Sequence, residues 1–232
     1  AVRHAVQQSP QVPSAAAPQL FIVRFDHDTC TISADSSGEL LHRRGYRLAT
    51  AKAPIRETLA AGALLALGWD GRAPLVDPMC GAGTIAIEAA LIARRLAPGL
   101  ARTFACERWP GAAVSAFSKL RSIARESARP SAGVAIVASD RDAGAISAAR
   151  ANAARAGVAG DIAFATHALS SVQVPAGTGL VLTNPPYGAR VGDRGTLRSL
   201  YAQLGNVART RCPGWTLAFV SADRMLDAQL KL

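Results

Sequence analysis

The chain has 232 residues, half of them hydrophobic, and a formal net charge of +10. That length suits one large domain, or one domain with an arm, and the composition allows a sizeable core. The apolar stretches are short and interrupted and residues 1–20 carry no apolar block, so neither a membrane span nor a secretory signal is expected.

Residues 1–19, rich in Ala and Gln with Pro10, Pro13 and Pro18, read as a flexible arm. Phe21–Phe25 and Thr29–Ser33 are β-rich runs separated by Asp26-His27-Asp28, which predicts a hairpin; residues 20–50 form this hairpin and a linker. From residue 51 the pattern changes to a second domain reaching residue 232. Pro54 suits a helix start, and Ile55, Leu59 and Ala63 follow at spacing four. Leu75-Val76 reads as a buried strand, followed by a Gly-rich turn and a helix striped by Ile85, Ala89 and Ile92. Residues 110–129 predict an amphipathic helix with Val114, Phe117 and Leu120 on one face. Val134–Ala138, Ile162–Ala165, Leu180–Thr183 and Thr216–Val220 are further strands, with helices over 142–156 and 196–210. Strands alternating with helices predict an α/β fold, a parallel sheet covered on both faces.

The four cysteines, Cys30, Cys80, Cys106 and Cys212, have no metal-ligand spacing and are too sparse for a disulfide framework. A reducing cytoplasm and no metal site are expected. The charge is unevenly placed. Residues 42–56 carry +5 and residues 94–129 carry +6, while the remainder sums to −1. Clustered Lys and Arg favour a polyanion such as nucleic acid, against the plainer reading of a solvated face.

In parallel sheets of this kind ligands bind beyond the carboxyl ends of the strands, so the strand-to-helix turns carry the chemistry. The first turn is Asp77-Pro78-Met79-Cys80-Gly81-Ala82-Gly83-Thr84, where two glycines let backbone approach a ligand. It fits a loose dinucleotide pattern. However, the acid at the strand end would repel a pyrophosphate, and the next strand-end acid, Asp140, comes 57 residues after Gly83 instead of about twenty. An acid here suits a positive group such as an amino-acid ammonium. Asp140 is placed to accept from a ribose diol, with Arg141 bordering a base and Asp142 taking the N-cap role. In the third turn, Thr183-Asn184-Pro185-Pro186-Tyr187, the prolines remove two backbone donors and leave acceptors. The Asn184 amide oxygen and a nearby carbonyl suit a planar NH2 group, and Tyr187 suits stacking on the ring that bears it.

DPMCGAGT, SDRD and NPPYG in this order resemble the class I S-adenosylmethionine-dependent methyltransferases that modify exocyclic amines. More narrowly, HRRGYR, APIRETLAAGALLALGW and LVDPMCGAGTIAIEAALIA are similar to the catalytic domain of THUMP-containing bacterial 23S rRNA guanine-N2 methyltransferases. That group is also described as N6-adenine-specific DNA methylases. The likeness covers about residues 20–230. It implies a Rossmann-like methyltransferase sheet over 51–232, preceded by a short hairpin that reads either as the trailing part of a THUMP region or as a linker. The final antiparallel hairpin of such sheets is not expected, because the chain stops at Leu232 soon after the fifth strand.

The resemblance implies S-adenosylmethionine as cofactor, S-adenosylhomocysteine as product, and RNA, above all large-subunit rRNA, as partner. Asp77, Pro78, Cys80, Gly81, Gly83 and Thr84 would hold the methionine end, Asp140 the ribose, and Arg141 would flank adenine. His167 stands about where the family has an acid near adenine. Arg56 or Glu57 would lie near the cofactor carboxylate. Asn184, the Pro185 carbonyl and Tyr187 would hold the target base, with Pro186, Gly188, Arg190, Arg43 and Arg44 as further substrate contacts. Other targets of the same chemistry are adenine N6 in DNA or RNA, guanine N2 in tRNA, and a glutamine side chain. A catalytically silent RNA-binding module and a nicotinamide oxidoreductase are the readings from other classes.

Overall fold

A computed structural model describes residues 19–48, 54–187 and 194–231. The expected arm, Gly188 and Arg190 lie outside them. The described residues fall into two compact units, residues 19–40 with Thr103–Val114, and Leu41–Arg102 with Ser115 onward.

In the smaller unit β1 (Phe21–Asp26) and β2 (Thr29–Ala34) pair antiparallel from Phe21↔Ala34 to Asp26↔Thr29. The two-residue loop puts His27 at φ 49°, the left-handed conformation that primed hairpin turns require. Asp35 then accepts from the amides of Ser37 and Gly38, turning the chain. Phe21, Val23, Phe25 and Ile32 share one face of the ribbon through their register, and all are exposed.

The larger unit is built on β3 (Leu75–Asp77), β4 (Ile136–Asp140), β5 (Ile162–Thr166), β6 (Leu180–Thr183) and β7 (Thr216–Phe219). All pair in parallel, in the order β5-β4-β3-β6-β7. Strand alternation decides which residues face which layer. Leu75, Leu180 and Leu182 enter a core with α1 (Glu57–Ala66), α2 (Thr84–Ala93) and α4 (Ala143–Arg155). Val76 and Val181 enter a second core with α5 (Arg194–Arg211) and α6 (Arg224–Asp227). Helices therefore cover both faces, as expected. Ala86, Ala89, Ala90 and Ala93 of α2 are fully buried, and their small side chains let neighbouring elements come close. Asp142 caps α4 by accepting from Gly144 and Ala145, as its position predicts.

Between α2 and α4 lies α3 (Val114–Glu126). The helix forms within the predicted range, and its apolar face is left largely uncovered. No residue of α3 is buried, Val114 and Leu120 are exposed, and Phe117 is half-buried. Beyond β7 the described chain continues into α6, whose Leu226 closes the second core. No helix among the described residues is long and apolar enough to cross a membrane.

Candidate active site

The three turns singled out by their composition meet at the carboxyl edge of the sheet. Asp77 ends β3 and is 1% exposed. Its Oδ1 accepts from Thr183 Oγ1 at 2.8 Å and from the Met79 amide at 3.3 Å. No described donor reaches Oδ2. Burial pushes the Asp77 carboxyl up to about 7, with Asp140 adding to the rise and the Thr183 and Met79 donors opposing it. A buried carboxylate with one oxygen open suits a cationic ligand group.

The turn after Asp77 is tied down from two sides. The Cys80 amide donates to the Ser139 carbonyl at 2.9 Å, and the Gly81 amide donates to Asp140 Oδ2 at 3.0 Å. Asn152 of α4 donates to the Ala82 carbonyl at 3.0 Å. Gly81 and Gly83 have φ of +51° and +84°. A Cβ on Gly83 would lie 3.0 Å from the Ala149 Cβ, so this glycine lets α4 approach the turn as well as freeing its backbone.

Asp140, expected to be free for a ribose, has both oxygens engaged. Oδ2 holds Gly81, and Oδ1 accepts from the Asp142 amide at 3.0 Å. Each oxygen keeps a further lone pair, so a diol would bind alongside these contacts. Arg141 is exposed beside it. The His167 amide donates to the Asp140 carbonyl at 3.0 Å, placing the two residues side by side. His167 Nδ1 lies 3.2 Å from the Ala168 carbonyl, while Nε2 is buried with no partner. Donation from Nδ1 to this carbonyl points Nε2 to an acceptor role.

Asn184 follows β6, and its Oδ1 is buried without a hydrogen-bond partner. Pro185 is buried, Pro186 half-buried and Tyr187 exposed. One cavity is lined by Pro54, Ile55, Asp77, Met79, Cys80, Ala82, Thr84, Ile85 and Asn184. It brings together the carboxylate of the first turn and the orphan amide of the third. Pro78, Gly81, Gly83, Asp140 and Tyr187 stand outside this lining. Burial and the neighbouring Asp77 raise the Cys80 thiol far above the usual range, so it is an apolar wall and not a nucleophile. Among the described residues no group of His, Cys, Asp and Glu has the arrangement of a metal site.

The basic segment before α1 has a role that composition did not reveal. Arg44 is expected among the substrate contacts, but Arg44 Nη1 lies 3.2 Å from Glu88 Oε2, with side chains 11% and 1% exposed. Tyr46 Oη donates to Glu88 Oε1 at 2.8 Å. Arg47 Nη2 lies 3.2 Å from Glu57 Oε2, so the acid expected near the cofactor carboxylate is ion-paired. Arg94 likewise donates to the carbonyls of Arg129 and Gly157 and to Asp161. These cations are bound to interior acids and carbonyls. Arg43, Arg56, Arg95, Lys119 and Arg125 remain exposed. Met79, Ala82, Ile85 and Thr183 were not singled out as site residues, because small, apolar and hydroxyl side chains carry no signal of a ligand, whereas Pro54 and Ile55 belong to the helix-start segment that the resemblance places near the cofactor carboxylate.

The fold is shared with a solved structure, and the sequence with curated relatives. A chain designated SMU.472, assigned as a methyltransferase and solved in complex with SAH, superposes with a TM-score of 0.86 at 29% identity, over 99% of this chain and 60% of that one. A ribosomal RNA large subunit methyltransferase K/L from Syntrophotalea carbinolica is 42% identical over 234 residues, 95% of this chain and 32% of that protein. A Synechocystis protein named by inference as an RNA methyltransferase is 36% identical over 217 residues, 93% of this chain and 56% of that protein. The chain thus spans roughly a third to just over half the length of these curated relatives.

The parallel sheet, its strand order and the turns at its carboxyl edge are those of a Rossmann-like class I methyltransferase domain. Residues 44–232 match the family described as RMKL-like methyltransferase domain, and the chain belongs to it. The match begins at Arg44, the residue whose ion pair reaches into α2.

Proposed function

We propose that this domain transfers a methyl group from S-adenosylmethionine to an exocyclic amine of a nucleobase, guanine N2 in large-subunit rRNA. The observation that carries the reading is the shared cavity, lined by buried Asp77 and by Asn184, whose Oδ1 has no hydrogen-bond partner. The named rRNA methyltransferase relatives and the SAH-bound neighbour support the substrate and cofactor classes.

When bound, S-adenosylmethionine supplies a methyl group already activated by its sulfonium charge. What the protein adds is position and a receptive electrostatic surface. Asp77 Oδ2 holds the amino-acid ammonium, Asp140 the ribose hydroxyls, and His167 Nε2 accepts from the adenine amine. Asn184 Oδ1 and the Pro185 carbonyl accept from the two hydrogens of the target NH2. These bonds turn the nitrogen lone pair out of conjugation and stabilise the positive charge that develops on nitrogen. Tyr187, exposed at the rim, stacks on the base once it leaves its own stack. The exposed Arg43, Arg56 and Arg95 lie in the two basic segments and meet the RNA backbone there.

The test is nucleoside mass spectrometry of rRNA and tRNA from a strain lacking the gene, followed by in vitro methylation of the undermodified RNA. Loss of N2-methylguanosine from large-subunit rRNA is expected, with restoration by the purified full-length protein. Loss of N6-methyladenosine instead would move the target to adenine. Loss of N2-methylguanosine from tRNA would move it to another RNA. An unchanged nucleoside profile with retained cofactor binding would identify a silent RNA-binding module.

A further inference from the structure

Thr183 is the last residue of β6 and has no exposed surface, yet it is polar where Leu180, Val181 and Leu182 before it are apolar. Valine has nearly the same shape and would bury its methyl groups without desolvating a hydroxyl. The hydroxyl therefore needs a reason beyond packing. Its Oγ1 donates to Asp77 Oδ1 at 2.8 Å, joining residues 106 positions apart across adjacent strands. The Thr183 carbonyl accepts from the Val220 amide at 3.0 Å, beyond the end of β7. Thr183 is thus held on both sides, and Asn184 leaves the strand from that fixed point.

We propose that Thr183 is a positioning residue that locks the Asp77 carboxylate and the Asn184 amide into one geometry across the cavity they share. This rests on the reading of that cavity as a site for a methyl donor and an amine. With both described donors on Oδ1, the carboxylate cannot rotate freely, and Oδ2 is left without a described donor in a residue that lines the cavity. The same hydrogen bond favours the ionised carboxylate against burial and the like charge of Asp140 from β4. The other groups facing Asp77 are the Met79 amide and the neutral Cys80 thiol, both in its own turn, and neither replaces a lost hydroxyl.

The experiment compares wild type, Thr183→Val and Thr183→Ser, using calorimetric binding of S-adenosylhomocysteine across pH and steady-state methylation. Thr183→Val is expected to weaken binding by about ten- to a hundredfold, the range for a hydrogen bond to a charged group. Its acid limb of binding should move to higher pH, and kcat should fall at saturating cofactor because Thr183, from which Asn184 leaves the strand, keeps its backbone bond to Val220 but loses its side-chain tie to Asp77. Thr183→Ser is expected to restore all three, since it keeps the hydroxyl. Should Thr183→Val not fold, Thr183→Ala provides a second chain without the hydroxyl and without its β-branch.

A folded hydroxyl-less variant with unchanged affinity, acid limb and kcat overturns the proposal. So does a Thr183→Ser that behaves like Thr183→Val, which would mean a packing role. Failure of the cavity reading looks different, because then wild type itself binds no S-adenosylhomocysteine at any pH.

Discussion

At the scale of residues, Asp77 places stability and binding in opposition. Its carboxyl rises from an ordinary 3.8 to about 7 on folding, so between those values the folded chain holds a proton that the unfolded chain releases. The stability this contributes is complete below the lower value and is lost as pH rises through about 7. Glu88, pushed up to about 7 by burial against the opposing pull of Arg44 and Tyr46, adds in the same direction. The melting temperature of the ligand-free chain should therefore fall between pH 5 and pH 8, and Asp77→Asn should flatten part of that slope. Affinity for an ammonium-bearing cofactor should run the other way, weakening below pH 7. Scanning fluorimetry and calorimetry on the same samples give both slopes.

Asn184 separates cleanly from Asp140. Asn184→Ala should abolish turnover and leave cofactor affinity near wild type, because the proposed function assigns its unpartnered oxygen to the acceptor amine. Asp140→Ala should weaken cofactor binding, losing the Gly81 tether together with the ribose contact. Calorimetry alongside a methylation assay distinguishes the two.

At the scale of elements, the cofactor turn depends on the helix behind it. Gly83→Ala would put a Cβ 3.0 Å from the Ala149 Cβ and hold alanine at φ +84°. A loss of about 1–3 kcal/mol is expected from strain and overpacking, read by chemical denaturation. The strands, the turns and the Asp142 cap were legible in sequence because each is a local pattern. Leu75 and Val76 face different cores simply through alternation. The packing role of Gly83 was hidden, because Ala149 is far along the chain. The exposure of α3 was hidden for a related reason. Periodicity shows that a helix has an apolar face, but not that another element covers it.

At the scale of the whole molecule, charge was the feature composition represented least faithfully. The two basic segments read as a polyanion surface, yet Arg44, Arg47 and Arg94 are bound to Glu88, Glu57 and Asp161. Their partners lie outside each basic segment or at its far end, so counting charges in a window cannot find them. Arg44→Ala should destabilise the fold by about 3–5 kcal/mol at pH 8, as expected when one half of a buried pair is removed. The loss should shrink at pH 6, where Glu88 takes up a proton, and Arg44→Ala with Glu88→Gln should recover part of it. If Arg44 instead served RNA, its removal would lower RNA affinity and leave the denaturation midpoint unchanged.

The strand order also sets the sequence of assembly. β3 is the first strand of its sheet to be synthesised and the middle one in space. Its partner β4 comes only after α2 and α3, and β6 only after α4 and β5. Contacts so distant along the chain fold slowly, and the apolar Leu75-Val76 pair waits uncovered meanwhile. Asp140 can tether the turn after Asp77 once β4 is in place, whereas Thr183 and Asn184 arrive with β6. The backbone of that turn is thus fixed before the Thr183 hydroxyl reaches the Asp77 carboxylate, and the cavity shared by Asp77 and Asn184 is completed only when β6 joins the sheet.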